Sequence, residues 1–458
     1  MLYHLSEWLL ESFNLAAPFR LTHSIAFRTI FAMLTSFLIT LLIGRWVIRQ
    51  LYKRKIRDVV RDYSVMSVES KKGTPTMGGI LILLAMLGSV ALWGDFSNPF
   101  LYYVLFPVFW FSVLGGIDDY YKIRYQNSDK GLSRKVKYLA QGGYALVFGI
   151  LFLHPATSPL PHPARGGTCH KPLPKSAPVS CEKDADCWAG GGKAVGSRCW
   201  SGKCQARCTD NKGKILACKV NDCKKTCGKK STCKGPWTLG FAGTPSSGKA
   251  VFTPSQLYIP FYKWPVFDLS WLYLVIIVLM IIYSANAVNF ADGLDGLATG
   301  PTLFSYAVYA IYAYVLGNSI LSNYLLFPNL PGVGEITVFC GAVGGAAMGF
   351  LWFNSYPADV FMGDMGSLML GGVLGTIMVL LKQEVLFFLL GGIFLAEIVS
   401  VMIQDWLGIQ VLGRRLLFRA PIHHTFQHRG MSEPKIVMRF WIVAAVLALL
   451  SLAALKIR

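Results

Sequence analysis

The sequence predicts an all-α polytopic membrane protein of about ten transmembrane helices, carrying a small disulfide-rich extracytoplasmic insertion. Three observations predict it. The 458 residues are 53% hydrophobic and only 15% charged, whereas a soluble chain carries about a quarter charged residues. Long apolar runs recur along the chain, and a helix needs roughly 20 such residues to cross the hydrocarbon core. Between about Pro161 and Pro254 the composition turns to Gly, Lys, Ser and Pro, and ten of the eleven cysteines lie there.

The apolar runs place spans near 23–48, 77–95, 99–117, 136–154, 266–288, 297–317, 335–353, 366–381, 385–411 and 436–456. The first lacks a small-residue cleavage site and is expected to be retained as a helix. Three parts follow: a membrane core over 1–160, the insertion over 161–254, and the rest of the core over 255–458.

Lys and Arg in short loops stay on the cytoplasmic side. Such residues crowd the connections after the first span (Arg49 to Lys72), after the third (Lys122 to Lys137) and before the last (Arg414 to Arg439). These connections are expected to be cytoplasmic, which puts both termini and the insertion in the periplasm or its equivalent. An even number of cysteines in a short, core-poor segment reads as a disulfide framework. Cys204 with Cys208, or Cys223 with Cys227, are also spaced to share zinc, but the expected oxidising compartment favours disulfides. The insertion holds +12 of the chain's +20 net charge. That charge suits contact with an anionic wall polymer or lipid head groups, with a solvated decoration as the plainer reading. No nucleic-acid-reading module accompanies it, so a nucleic-acid partner is not expected. Cys340 lies in a Gly/Ala-rich span and reads as a packing residue.

Ionisable groups are costly inside a bilayer and tend to mark function. Asp118 and Asp119 close the third span in GGIDDY. Neighbours on a helix diverge by about 100°, so the two carboxylates are expected to serve different partners. Asn286, Asn289 and Asp292 recur at spacings of three, and the following Asp-Gly pairs, including Asp295, break the helix. Asp364 sits in FMGDMGS at a helix start, where free N–H groups favour an anion such as phosphate. Arg419 to His424 adds a cationic patch with His423 and His424, read as a loop. Lys71 to Gly79 suggests a phosphate cradle but lacks P-loop spacing. Hard oxygen donors from separate helices suit magnesium, bound by a few carboxylates plus substrate phosphates.

The segments KKGTPTMGG, GGIDDY, NAVNFADGLDGLA, FNSYPADVFMGDMGS and APIHH, in this order, resemble the phospho-N-acetylmuramoyl-pentapeptide transferase family of polyprenyl-phosphate N-acetylhexosamine-1-phosphate transferases. The resemblance covers the ten expected spans and leaves the insertion unmatched. It implies a magnesium-dependent transfer of phospho-MurNAc-pentapeptide from UDP-MurNAc-pentapeptide to undecaprenyl phosphate, giving lipid I and UMP, in the bacterial inner membrane with the active site cytoplasmic. By motif position, Asp364 resembles the metal ligand. Asp118 and Asp119 resemble the pair serving the lipid phosphate, with Asp118 the favoured base. Lys71, Asp295 and Phe361 resemble the uridine pocket, with Phe361 stacking on uracil. Thr76, Asn289, Asp292 and Asn354 match polar residues of the adjoining cleft, and Asp292, His423 and His424 join the catalytic set. Thr425 stands where the family's third histidine is usual. A homodimer is implied by the resemblance alone.

The nearest alternative is a sister enzyme using another UDP-HexNAc such as UDP-GlcNAc. A transporter would be expected to carry internal repeats and broken helices at mid-membrane; no such repeat is apparent, and the carboxylates cluster at one face. A mere membrane anchor would be expected to have lost the aspartates, which are all present.

Overall fold

The computed structural model describes residues 2–4, 22–54, 56, 73–127, 130–160 and 253–457, with the backbone of strand segments 167–172, 197–200, 203–207, 217–218 and 232–234. The chain divides into two compact units, Met1–Ile150 with Gln256–Arg458, and Leu151–Ser255.

The helices are α1 Ile25–Lys53, α2 Gly79–Trp93, α3 Pro99–Arg124, α4 Arg134–Leu153, α5 Tyr273–Ala291, α6 Thr299–Gly317, α7 Ser319–Tyr324, α8 Glu335–Asn354, α9 Gly363–Leu380, α10 Leu386–Leu390, α11 Gly392–Met402, α12 Ile422–His428 and α13 Glu433–Ala453. A π-helical segment, Ile403–Val411, continues α11. Eight of the described helices are long and apolar enough to cross a membrane. The two other expected spans coincide with α2, shorter at 15 residues, and α6, whose four tyrosines make it less apolar. The expected span over 385–411 is broken between α10 and α11 at Gly391 and Gly392, residues that favour helix ends over helix interiors. The run expected to begin at 266 enters through a short strand pair and a 3₁₀ turn, and its helix starts at Tyr273.

Packing turns on small residues, as it must where lipid offers no hydrophobic drive for helix pairing. Gly341, Gly345 and Gly349 recur every fourth residue along α8 and face Thr29, Met33 with Ser36, and Thr40 of α1. A Cβ at Gly341 would stand 2.7 Å from the Thr29 carbonyl oxygen, so only glycine allows this approach. The two helices run parallel, and at their starts Arg28 pairs with Glu335 at 2.8 Å in a buried ion pair. That arginine also donates to the Trp93 carbonyl at 3.1 Å, and Glu335 accepts from the Asp95 N–H at 2.8 Å. Both charges are thus paired, as burial demands, with the Arg28 Nε alone left without a hydrogen-bond partner among the described residues.

The helix that positions the site is α9. Its residues Gly371 and Gly375 lie against Ser284, Ala285 and Ile281 of α5, while its Gly372 meets Phe111 and its Asp364 backbone meets Gly115, both of α3. This order makes α9 antiparallel to both neighbours. The start of α9 therefore meets the ends of α3 and α5, which is where the sequence places its acidic motifs.

In the second unit, strands β1 Gly167–Pro172, β2 Ser197–Trp200, β3 Lys203–Arg207, β4 Ala217–Cys218 and β5 Thr232–Lys234 form one antiparallel sheet ordered β2-β3-β1-β4, with β5 also paired to β1. The side chains of the ten insertion cysteines, and so the expected disulfides, lie outside the described residues. Cys340 is a free, buried thiol, as expected for a packing residue.

Candidate active site

Helix α3 runs two turns beyond the apolar stretch read from the sequence, and those turns carry Asp118, Asp119 and Lys122. Asp118, Asp119 and Asp364 each present a carboxylate oxygen, and these oxygens lie within 4.8 Å of one another. A six-coordinate magnesium with oxygens at about 2.1 Å places opposite ligands about 4.2 Å apart, so a spread of up to 4.8 Å is a few tenths of an ångström from what one shared divalent ion needs.

Two lysines thread this cluster. Lys122 Nζ lies 2.7 Å from Asp118 Oδ2 and 3.0 Å from Asp364 Oδ2. Lys137, from the first turn of α4, lies 2.7 and 2.8 Å from the same two oxygens. Asp118 is wholly buried, and its second oxygen accepts the Leu132 N–H at 2.6 Å. In the sequence these lysines stand out only as topology signals. The i,i+4 spacing of Asp118 and Lys122 was the signal available to find one of them.

The adjacent carboxylates diverge in partners, as helix geometry requires, yet stay in one cluster. Asp119 Oδ1 accepts the N–H of Asp364 at 3.1 Å and Oδ2 the N–H of Met365 at 3.0 Å. The anion held by the α9 start is thus a side chain of α3, where the sequence suggested a phosphate. A carboxylate there satisfies orphan donors and meets the positive end of the helix dipole. Gly363 enters the helix at φ +74. A Cβ at that position would lie 2.6 Å from Asp119 Oδ2 and 3.0 Å from the Thr76 hydroxyl, so Thr76 borders the same cluster.

From α5, Asn289 Nδ2 donates to Asp364 Oδ1 at 3.0 Å and to the Ser367 hydroxyl at 2.8 Å. One turn earlier, Asn286 donates to Gln141 Oε1 of α4 at 2.6 Å. Asp292 caps the end of α5.

The 292–298 turn and the 354–361 segment form a second group. The Asp295 carboxylate accepts the Ala358 N–H at 3.1 Å, and the Asp295 N–H donates to Glu433 at 2.8 Å. Asn354 Oδ1 accepts from Gly296 N–H at 3.0 Å, and its Nδ2 donates to the Val360 carbonyl at 2.9 Å. Phe361 is joined by backbone to the 75–78 segment, donating to Pro75 and accepting from Gly78. Asn354 thus ties two segments together with both ends of its amide. Lys71 lies outside the described residues.

The histidine patch is a helix, α12, where the sequence suggested a loop. His423 is buried, with Nδ1 3.0 Å from Glu397 Oε2 of α11. Its Nε2 has no hydrogen-bond partner among the described residues and abuts Gly293, next to Asp292. His424 pairs with Gln427 at 2.8 Å. The Thr425 hydroxyl donates to the Arg419 carbonyl and accepts the Arg419 N–H, closing the 419–425 turn. Glu397, absent from the sequence reading, is a lone carboxylate inside an apolar run, and the rule that such residues mark function would have found it.

Comparison with known proteins covers the whole chain. Residues 241–382 match the model of glycosyl transferase family 4. Residues 71–83 match phospho-N-acetylmuramoyl-pentapeptide-transferase signature 1. The phospho-N-acetylmuramoyl-pentapeptide-transferases of Desulfosudis oleivorans and Desulfotalea psychrophila are each 37% identical to it, and that of Citrifermentans bemidjiense is 36% identical, with all of both chains covered in every case.

Proposed function

From the premise that the chain belongs to the phospho-N-acetylmuramoyl-pentapeptide-transferase family, we propose how its buried carboxylates and lysines carry out the family's reaction. The chain is a membrane enzyme of peptidoglycan biosynthesis that transfers phospho-MurNAc-pentapeptide from its UDP carrier to a polyprenyl phosphate, forming lipid I. We take the lipid acceptor to be undecaprenyl phosphate and the metal to be magnesium.

The observation that carries this reading is the meeting of Asp118, Asp119 and Asp364 with Lys122 and Lys137 at one end of the helix bundle. An oxygen of the lipid phosphate forms a bond to the sugar-bearing phosphorus, and the bond to the bridging oxygen breaks as UMP leaves. Such transfers need positioning and charge neutralisation more than covalent help. Asp364 would hold the magnesium, with Asp118 and Asp119 within reach, and the ion supplies charge neutralisation on the diphosphate.

The chain's own groups do the rest. The lipid phosphate is already anionic near neutral pH, so a base removes at most one proton. Asp118 accepts three hydrogen bonds and is wholly buried, which favours a role in aiming the two ammoniums at the phosphates over the role of base. Asp119 fixes the start of α9 and thereby the direction of Asp364. Asn289 sets the rotamer of Asp364 from the other side. His423, held by Glu397 and with its buried Nε2 against Gly293, is assigned to donate to or accept from a substrate oxygen. Lys71, Asp295 and Phe361 are assigned to the uridine, with Thr76, Asn354 and Asp292 around the sugar diphosphate and His424 at the rim.

The basic connections are assigned to the cytoplasmic side, and ten helices to the bilayer, with α2 and α6 completing the set. The cysteine-rich unit is then periplasmic and stapled by disulfides, and the protein works as a homodimer. Incubating the purified protein with magnesium, undecaprenyl phosphate and either UDP-MurNAc-pentapeptide or UDP-GlcNAc, then identifying the lipid product, tests the reading. Lipid I from the first donor alone is expected; a GlcNAc-linked lipid would assign the chain to the sister activity.

A further inference from the structure

A cavity of about 600 Å³ opens between the last turns of α1 and α8 and the 73–75 segment, and none of the three clustered aspartates lines it. Its lining includes Arg45 and Arg49, one turn apart on α1, with Tyr52, Thr74, Trp352 and Asp359. Both arginines are exposed, and neither has an ion-pair partner among the described residues. Trp352 is 68% exposed and Trp46, beside Arg45, is 61% exposed. Exposed tryptophans near helix ends sit at the level of lipid head groups. Nothing in the transfer reaction uses these residues.

We propose that this cavity binds a membrane glycerophospholipid through its phosphodiester. Paired guanidiniums in one cleft present forked donors matched to phosphate oxygens. Basic pockets between transmembrane helices recognise lipid head groups in this way. Tyr52 and Trp352 flank the arginines with rings that suit the glycerol and first acyl carbons. The Thr74 hydroxyl adds a neutral donor. Asp359 lines the same space, and among the described lining residues it and the two arginines sum to one positive charge, matched to one phosphodiester. An anionic lipid such as phosphatidylglycerol fits this balance.

The site does not depend on the transferase assignment, because its readout is lipid retention. Native mass spectrometry of the full chain in detergent, titrated with phosphatidylglycerol, measures it. Each cationic side chain contributes roughly fivefold to affinity, so Arg45→Gln/Arg49→Gln is expected to weaken the tightest binding step by about 30-fold. Arg45→Lys/Arg49→Lys, which keeps the charge without the fork, is expected to retain part of it. Helical circular dichroism and monodisperse elution establish that the variants are folded. Glycerol 3-phosphate and inorganic phosphate, tested as competitors at equal concentration, are expected not to displace the lipid. Unchanged retention in the folded glutamine variant would overturn the proposal. Full displacement by either soluble phosphate would overturn the lipid as its source.

Discussion

The carboxylate of Asp119 receives the backbone N–H of Asp364 at 3.1 Å, so the residue expected to hold metal is aimed by one that lies 245 positions earlier in the chain. The neighbouring N–H of Met365 completes the cap at 3.0 Å. Helix α9 begins where it does because a carboxylate from α3 satisfies its first donors, and Gly363 turns into it at a positive φ that other residues resist.

Replacing this cap separates stability from chemistry. Asp119→Asn keeps one acceptor and is expected to lower stability by less than about 1 kcal/mol, whereas Asp119→Ala should cost about 1–2 kcal/mol. Thermal unfolding in detergent measures both. Equal melting temperatures for Asp119→Ala and the parent would show that the cap carries no weight.

Removing one lysine should pull metal affinity and turnover in opposite directions. Lys137→Met leaves Asp118 and Asp364 with Lys122 alone, so less positive charge opposes a divalent cation. Magnesium is expected to saturate at a lower concentration, while turnover falls by about 10²- to 10³-fold as a phosphate-facing donor is lost. A magnesium titration of initial rates reads both quantities; a higher magnesium requirement would count against this arrangement.

In the proposed mechanism Glu397 acts through His423, which it holds at 3.0 Å. Glu397→Ala strands the buried Nδ1 and is expected to lower kcat by about 10- to 100-fold with KM for the nucleotide little changed. Glu397→Gln preserves a hydrogen bond and should recover part of that loss. A parallel rise in KM with no fall in kcat would assign Glu397 to substrate binding instead.

Thr425 occupies the place of a usual histidine but has structural work of its own. Its hydroxyl makes two hydrogen bonds to the Arg419 backbone, so Thr425→Val should cost about 1 kcal/mol. For the same reason Thr425→His is expected to destabilise the 419–425 turn without raising activity. A more active Thr425→His variant, assayed for UMP release, would reverse this view.

Much of the fold was legible because the bilayer enforces it. Apolar runs long enough to span located most of the helices to within a few residues, and the acidic motifs lay where these runs ended. The extension of α3 past the apolar stretch was not legible, since Asp118, Asp119 and Lys122 are polar and only the neighbouring helices make their burial tolerable. The broken 385–411 segment was signalled by Gly391 and Gly392, which hydropathy averaging conceals. At the site, residue identities could be read from motifs, but partners could not. The Asp119 cap, the Lys137 bridge and the Glu397–His423 pair join residues far apart in sequence. Each depends on α9 running antiparallel to α3 and α5, or on α12 folding back onto α11. Those are tertiary facts that no local pattern encodes.

In the proposed mechanism Asp364 anchors the metal-dependent centre. Its most direct test is UMP release by purified Asp364→Asn, with UDP-MurNAc-pentapeptide, undecaprenyl phosphate and magnesium, against the parent at matched melting temperature. The amide keeps the shape and the Asn289 contact but removes the charge, so turnover should fall by at least about 10³-fold. Parent-like turnover in the folded variant would contradict the role assigned to this carboxylate and to the cluster around it.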